Sequence, residues 1–218
     1  MYFIKCKKII ALCLCVLLVS CDQTLQTTNP ATDSSFLYKA KGSGIAGNAR
    51  GDITIVEFFD YRCEACKLSF PALYTLPLID PGARIVYREL PMLGPVAVIA
   101  AKAALAARYQ HRYLIFHHAL MSAPSLNTPE QVFDVAKQVG LDVALLQDDM
   151  NRSEVRERID ENMALAKALH ITGTPVFILA KTEWQGDNML VSNSILYPGA
   201  LTLTTLKKMM VELRLNTV

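Results

Sequence analysis

The chain has 218 residues, of which 52% are hydrophobic, and it carries 22 basic and 20 acidic side chains. This length allows one domain with a sizeable hydrophobic core. The charges nearly balance and no basic patch is visible in the sequence, which excludes the surface expected of a nucleic-acid-binding protein.

The first twenty residues predict a secretory signal peptide. Three lysines precede an apolar run from Ile9 to Val19, which is too short to cross a bilayer as a stable helix. The run ends in LVSC at 18–21, which resembles a bacterial lipobox, in which the cysteine is lipidated and the preceding peptide is removed. The alternative is an ordinary signal peptide cleaved nearby, with Cys21 incidental. We predict the lipidated form because Cys21 lies where the apolar run stops.

Removal of this peptide changes both the charge and the cysteine count. The mature chain would have 19 basic against 20 acidic residues and would keep three of its six cysteines. With lipid on Cys21, the remaining thiols are Cys63 and Cys66. An exported protein meets an oxidising compartment, where such a pair can persist as a disulfide.

Residues 22–40 are rich in Thr, Ser, Asn and Asp. This composition is typical of a flexible tether, here between a lipid anchor and a domain. Asp22, directly after the lipidated cysteine, resembles an inner-membrane retention signal of enteric bacteria. We therefore predict a periplasmic protein that is anchored to a membrane by lipid, with the inner membrane favoured.

After the tether, the sequence predicts a β-α-β unit. ITIVEFF at 53–59 is nearly unbroken in β-branched and aromatic residues, as in a strand buried on both faces. A helix is predicted from about Glu64 to Leu76, kinked at Pro71 and ended by Pro77 and Asp80-Pro81-Gly82. Its buried stripe is predicted to hold Leu68, Ala72 and Leu76. RIVYREL at 84–90 is the second strand.

A helical block follows, and the pattern then returns to strands. The predicted helices cover 95–109, about 111–121, 129–140, about 142–150 and 153–169. The last of these is predicted to bury Val155, Ile159, Met163 and Ala166. Strands are predicted at 174–180 and 190–197, joined by a polar loop bearing Trp184 and Gly186, and a closing helix at 201–213.

His117 and His118 point about 100° apart on a helix, so packing or surface roles are predicted for them.

Cys63 and Cys66 form a Cys-x-x-Cys pair at the first strand-to-helix junction. Such a pair can be part of a zinc site, a structural disulfide or a redox pair. Structural zinc needs four ligands, whereas the mature chain offers two thiols, four scattered histidines and no second such pair. A structural disulfide would close too small a loop to stabilise the fold. A redox pair fits best, because the first turn of a helix favours an anion and lowers the pKa of the first thiol. Cys63 is then the attacking sulfur and Cys66 the buried resolving sulfur, and no metal or cofactor is expected.

Three further features support the redox interpretation. Glu57 lies six residues before Cys63 within the apolar strand, where a carboxyl of raised pKa can accept a proton from Cys66. Pro71 is placed to bend the helix that the pair opens. Thr174-Pro175 directly precedes a strand, which is a suitable place for a cis peptide bond beside a binding site.

These motifs together resemble the DsbA-like branch of the thioredoxin superfamily. The resemblance is carried by Gly47-Asn48, VEFFDY at 56–61, the Cys63–Cys66 motif, RELPMLG at 88–94, GTPVF at 173–177 and Pro198-Gly199-Ala200. It implies an α/β thioredoxin-like fold over 41–218 with an inserted helical domain at about 92–170. It also implies that Cys63 is the nucleophile, Cys66 resolves, Glu57 shuttles protons and Thr174-Pro175 contacts disulfide and substrate.

Two positions depart from the strongly oxidising members, which carry Pro-His between the cysteines. Here the dipeptide is Glu64-Ala65, and a carboxylate disfavours a nearby thiolate. We therefore hypothesise a less strongly oxidising disulfide, unless Glu64 points into solvent and is screened. Thr174 is common in isomerase and reductase relatives, whereas Val is usual in strict oxidases, which favours mixed oxidase and isomerase activity.

The sequence thus predicts a monomeric thiol–disulfide oxidoreductase that forms or rearranges disulfides in exported proteins. Its expected clients are unfolded or misoxidised exported proteins. A membrane quinone-linked oxidase would reload it as an oxidase, and a membrane thiol donor would keep it reduced as an isomerase. The alternative is a metal-handling or surface lipoprotein that uses a thioredoxin-like scaffold without essential redox turnover.

Overall fold

The structure is a computed structural model that describes residues 34–39 and 44–215. The predicted signal peptide, the lipidation site Cys21, Asp22 and most of the predicted tether lie outside these residues. Within them, no helix is both long and apolar enough to cross a membrane.

A five-stranded mixed sheet forms the centre of the fold. Its strands are β1 (Ile45–Gly47), β2 (Ile53–Phe59), β3 (Ala83–Glu89), β4 (Val176–Gln185) and β5 (Asn188–Pro198). They lie in the order β1-β3-β2-β4-β5, and β2 pairs parallel to β3 and antiparallel to β4. Every residue of β2 and β3 is buried, as in strands covered on both faces, and the buried residues include the charged Glu57, Arg84, Arg88 and Glu89. Strand β1 was not predicted from the sequence, because three residues are too few for a periodic pattern.

Eight helices are described around this sheet. They are α1 (Ser34–Tyr38), α2 (Glu64–Ile79), α3 (Pro95–Ala106), α4 (Tyr113–Ser122), α5 (Pro129–Gln138), α6 (Val143–Asp149), α7 (Ser153–Ala168) and α8 (Leu203–Leu215). The parallel β2-α2-β3 unit and the helices between β3 and β4 agree with the prediction. The α/β thioredoxin-like fold with helical elements is therefore confirmed. Thr128 forms a capping box at the start of α5, and Gly140 follows that helix with φ +75°.

The course of α2 corrects the sequence prediction. The helix continues past Pro77 to Ile79 and is capped at Asp80, the first residue of the predicted Asp80-Pro81-Gly82 stop. Of the predicted buried stripe, Ala72 and Leu76 are buried but Leu68 is 74% exposed, and Phe70 and Leu73 are buried as well. The prediction is therefore wrong at the start of the stripe, where Cys66 and not Leu68 faces inward.

Two smaller corrections concern α7 and the last hairpin. Met163 of α7 is 44% exposed, whereas the neighbouring Asn162 is fully buried and donates to the Glu89 carbonyl oxygen. A buried polar residue on an apolar stripe cannot be found from hydrophobic periodicity. Trp184 lies within β4 and not in a loop, since the hairpin turns only between Gln185 and Asn188.

Residues 34–39 are not the flexible tether that the sequence predicted. Helix α1 packs on the sheet with Leu37 and Tyr38 buried. The fully buried guanidinium of Arg88 donates to three carbonyl oxygens at the end of this helix, those of Phe36, Leu37 and Lys39, at 2.7, 2.9 and 2.6 Å. Burial lowers the pKa of Arg88 to about 10, so the guanidinium stays charged near neutral pH and favours the negative end of the helix.

The C-terminal helix α8 is held to the start of β2 and the end of α2 by an ionic clamp. Arg214 donates two hydrogen bonds to the Asp52 carboxylate and two to that of Asp80, at 2.8–2.9 Å. The hydrogen bonds that Arg214 donates to Asp80 hold the pKa of that carboxyl below its ordinary value of 3.8.

We expect Arg214→Ala to reduce the free energy of unfolding by about 1 kcal/mol at neutral pH, because a partly exposed network is screened by solvent. The pKa of Asp80 is depressed in the folded protein, so its contribution is present above pH 3.8 and fades as the pH falls below it. Denaturant unfolding of both proteins at pH 7 and pH 3 measures this difference. The exposed Arg156→Ala is the matched control, and an equal loss in both variants would contradict the clamp.

Candidate active site

The end of β2 and the start of α2 place the two cysteines. Cys63 is the N-cap residue of α2, and its backbone N–H donates to the Asp60 carbonyl oxygen at 3.0 Å. The backbone N–H of Cys66 donates to the Cys63 Sγ at 3.3 Å. A sulfur therefore occupies the position where a helix start offers free N–H groups, and a thiolate is stabilised there.

The two sulfurs differ in exposure and in acidity. Cys63 retains 7% of its surface, whereas Cys66 has none, and both are free thiols. The pKa of Cys63 is lowered from 9.0 to about 6, first by the hydrogen bond from the Cys66 thiol. Bonds from the Thr174 side chain and from the N–H groups of Cys66 and Ala65 add to this, against the effect of burial. Burial raises the pKa of Cys66, so the two thiols are shifted in opposite directions.

The loop before β4 closes the site from the other side. The peptide bond between Thr174 and Pro175 is cis, as the sequence predicted. The carbonyl oxygen of Thr174 accepts a hydrogen bond from the Cys63 thiol at 3.2 Å across 111 residues of sequence. This carbonyl favours the protonated thiol, whereas the Thr174 side chain favours the thiolate, and the thiolate is favoured in sum. His170 is exposed and lines a cavity of about 330 Å³ beside this loop.

Glu57 lies beneath the cysteine pair. Alternation along β2 turns it to the same face as Ile55 and Phe59, which belong to the core that α2 covers. Glu57 is fully buried, and neither carboxyl oxygen has a hydrogen-bond partner in the described part of the chain. Burial, and then the charge of Cys63, raise its pKa well above the ordinary value. Its own charge in turn raises the pKa of Cys66, so the two groups compete for one proton.

The residues that flank the pair are engaged by the backbone. Arg62 donates to the Leu93 carbonyl oxygen, and Lys67 donates to those of Ala123 and Pro124 at 2.5 and 2.8 Å. Glu64 is exposed and Ala65 half-buried on the first turn of α2. The two cations therefore fix neighbouring loops through main-chain oxygens.

The sequence analysis overlooked Asp60. One of its carboxylate oxygens accepts the N–H groups of Met92 and Leu93 at 2.7 and 2.9 Å, and the other accepts the Arg62 N–H at 2.8 Å. This aspartate ties the turn before Cys63 to the loop after β3. Its place between an apolar strand and the Cys-x-x-Cys pair was the available signal.

Residues 34–39 and 44–215 contain no group of three or more His, Cys, Asp or Glu side chains placed to hold a metal ion. The site consists instead of an acidic thiol at a helix start, a buried thiol, a buried carboxyl and a cis-proline loop. These features together form a candidate redox site on a thioredoxin-like fold.

Comparison with known proteins identifies the family. The sequence pattern of the DSBA-like thioredoxin domain matches residues 96–196. A thioredoxin-like oxidoreductase from Silicibacter pomeroyi DSS-3 is 38% identical, with a TM-score of 0.73 over 83% of this chain and 97% of that one. The chain therefore belongs to the DsbA-like thiol–disulfide oxidoreductase family of the thioredoxin fold.

Two further solved structures are similar at lower identity. A periplasmic thioredoxin-like protein from Salmonella enterica serovar Typhimurium is 25% identical, with a TM-score of 0.68 over 81% of this chain and 92% of that one. The thiol-disulfide exchange protein alpha-DsbA2 from Wolbachia pipientis is 29% identical, with a TM-score of 0.66 over 78% of this chain and 87% of that one.

Curated relatives include two proteins named as Na(+)/H(+) antiporters. NhaA 3 of Salinispora tropica is 27% identical over 137 residues, and NhaA 1 of Salinispora arenicola is 26% identical over 165 residues. These matches cover 62% and 75% of this chain but only 21% and 25% of the antiporters. The chain thus spans about a quarter or less of their length.

We expect the alkylation of the reduced protein by iodoacetamide to titrate with a midpoint near pH 6, because the Cys63 thiolate is the reacting species. Cys66 should stay unmodified in the same range, since burial raises its pKa. Mass spectrometry of peptides alkylated between pH 4 and 9 measures both sites.

The lowered pKa of Cys63 also makes the free energy of unfolding depend on pH. Because this pKa is depressed in the folded state, the stabilisation by the Cys63 thiolate is fully present above pH 9.0 and is lost as the pH falls through about 6. In the alkylation experiment, a midpoint above pH 8 would contradict the assignment of Cys63 as an activated thiol.

Proposed function

We propose that this protein is a periplasmic, lipid-anchored thiol–disulfide oxidoreductase that forms or rearranges disulfides in exported proteins through Cys63 and Cys66. The observation that carries the proposal is the Cys63 Sγ at the start of α2, bonded by the Cys66 N–H and touching Thr174. A thiol held in this way is an attacking group and, equally, a good leaving group. A merely structural scaffold has no need of it.

The proposed reaction conserves atoms and charge. A client thiolate attacks Cys63 Sγ, the bond between Cys63 and Cys66 breaks, and Cys66 leaves and takes up a proton. A second client thiolate attacks the client sulfur that is bound to Cys63, and Cys63 leaves as a thiolate. The client gains one disulfide and is oxidised by two electrons, and the pair is reduced. Glu57 is the proposed source of the proton for Cys66, because a charge on Glu57 raises the pKa of that thiol.

Client binding is assigned to the loop that carries Thr174 and Pro175. Thr174 already touches the sulfur that would bond the client, so a client backbone beside this loop lies next to the reacting atom. The adjoining cavity of about 330 Å³, which Pro198 and Gly199 also line, provides space for a side chain of an extended peptide. This arrangement suits unfolded or misoxidised chains, which expose extended segments.

The direction of electron flow follows from what restores the pair. A membrane quinone-linked oxidase would reload the disulfide, and a membrane thiol donor would keep it reduced. Thr174 favours mixed oxidase and isomerase activity in this proposal. Cys21 as the lipidated residue, with residues 1–20 removed, would keep the domain of residues 41–218 near either partner.

The central test uses the mature chain from residue 21, with Cys21→Ser in place of the anchor. We expect this protein to restore the activity of reduced ribonuclease, of scrambled ribonuclease, or of both. Recovery of the reduced substrate reports oxidase activity, and recovery of the scrambled substrate reports isomerase activity. Cys63→Ser should abolish both activities, and Cys66→Ser should accumulate a mixed disulfide with the client. Unchanged activity in Cys63→Ser would favour the alternative of a metal-handling or surface protein without redox turnover.

Glu64 and Ala65 are proposed to tune the redox pair. Glu64→His should lower the Cys63 pKa further, because a cation near the helix start favours the thiolate. The absorbance of the thiolate as a function of pH measures the change, with Glu154→His on the exposed first turn of α7 as the matched control. An unchanged Cys63 pKa would show that the exposed position 64 is screened by solvent.

A further inference from the structure

A group of buried polar side chains lies behind Glu57, and the proposed thiol reaction does not use it. We call it the relay cluster, and its members are Tyr61, Tyr87, Glu89, Tyr113 and His117. None of them is more than 8% exposed. Burial of so many ionisable groups is costly and is concentrated at functional sites.

Two hydrogen bonds and one neighbouring pair of hydroxyls place four members in one line. The Tyr113 hydroxyl donates to Glu89 Oε1 at 2.5 Å. Burial raises the pKa of Tyr61 and the adjacent Tyr113 hydroxyl opposes this rise, so the two hydroxyls interact. The Tyr61 hydroxyl also pairs with His117 Nδ1 at 3.0 Å. The line therefore runs from Glu89 to His117, from the end of β3 into α4.

The free end of this line approaches Glu57. The ring centroids of His117 and Tyr87 are 4.1 Å apart, and Tyr87 pairs with Glu57 in the register of β2 and β3. Paired residues of neighbouring parallel strands point to the same face. Tyr87 Oη, His117 Nε2 and both Glu57 oxygens lack a hydrogen-bond partner among the described residues. Such buried atoms are each costly unless a proton or an internal water joins them.

The two ends of the line suit opposite roles. Burial, and then His118, hold the pKa of His117 well below its ordinary value, so the ring is neutral and one nitrogen accepts while the other donates. Burial raises the pKa of Glu89 to about 7, against the hydrogen bond from Tyr113 and the charges of Arg88 and Arg158. Burial raises the pKa of Glu57 well above its ordinary value and so favours the protonated carboxyl, which accepts a proton from Cys66 most readily when it passes its own proton on.

We propose that the relay cluster carries protons between Glu57 and Glu89, so that Glu89 is the final acceptor when Cys66 is deprotonated. This proposal rests on the proposed thiol chemistry. As Cys66 attacks a mixed disulfide on Cys63, its proton moves to Glu57, and the proton of Glu57 passes through Tyr87 to His117 Nε2. His117 Nδ1 releases its proton to Tyr61, Tyr61 to Tyr113, and Tyr113 to Glu89. One proton leaves the thiol and one reaches Glu89, and every hydroxyl regains the proton it gave.

A two-step thiol reaction tests the relay. Reduced mature chain carrying Cys21→Ser is mixed with excess dithiobis-nitrobenzoate, and release of the coloured thiolate is followed by stopped flow. The first phase reports attack by Cys63, and the second reports closure of the disulfide by Cys66. We expect the wild-type second phase to accelerate as the pH rises through about 7, because Glu89 must be ionised to accept the proton.

Glu89→Gln and Tyr61→Phe should each slow the second phase at least about tenfold and leave the first phase within about twofold. Glu89→Gln should also remove the inflection near pH 7. Tyr38→Phe, a buried tyrosine outside the relay cluster, is the matched control and should change neither phase. A wild-type second phase in both variants, or equal slowing of both phases, would overturn the relay.

The wild type provides a test that needs no folded variant. The second-phase rate is measured in mixtures of H₂O and D₂O, where several protons moving in one step give a curved dependence on the D₂O fraction. A straight line, which indicates one moving proton, would overturn the relay while both phases remain visible. Absence of any thiolate release would overturn the thiol chemistry itself and the relay with it.

Discussion

The site depends on the hydrogen bond between the Cys66 N–H and the Cys63 sulfur. It makes a sulfur the capping group of α2, and a helix start is where an anion is least costly. The bond can form because β2 ends one turn earlier and Asp60 holds that turn. Since β2 pairs with both β3 and β4, the same strand also brings the Thr174 loop against the sulfur.

Burial has opposite effects on groups that lie close together. Hydrogen bonds to its sulfur outweigh burial at Cys63, whereas burial dominates at Cys66 and Glu57 and raises their pKa values. A difference of this kind supports the proposed roles, in which Cys63 attacks and Cys66 gives up or takes up a proton. The unpartnered polar atoms around Glu57 reduce the stability of the fold, which is typical of a site selected for chemistry.

Much of the fold was predictable because it rests on local patterns. Strands β2 and β3, the start of α5 at residue 129 and the cis bond between Thr174 and Pro175 were predicted correctly. The errors arose where the position of an element depends on contacts with residues far away in the sequence. Leu68 is exposed because α2 is oriented by the cysteine pair, and residues 34–39 are ordered because buried arginines bind their carbonyl oxygens.

The pair Cys63 and Cys66, the nearby acid Glu57 and the loop at Thr174 can be identified as candidates without a structure, because each has a short-range signature of spacing or residue type. Their contact depends on the fold, since 111 residues separate Cys63 from Thr174. It also revealed the line from Glu89 to His117, whose members come from a turn, a strand and a helix. No pattern within one segment records such a line, because hydrogen bonds between elements depend on how their faces pack.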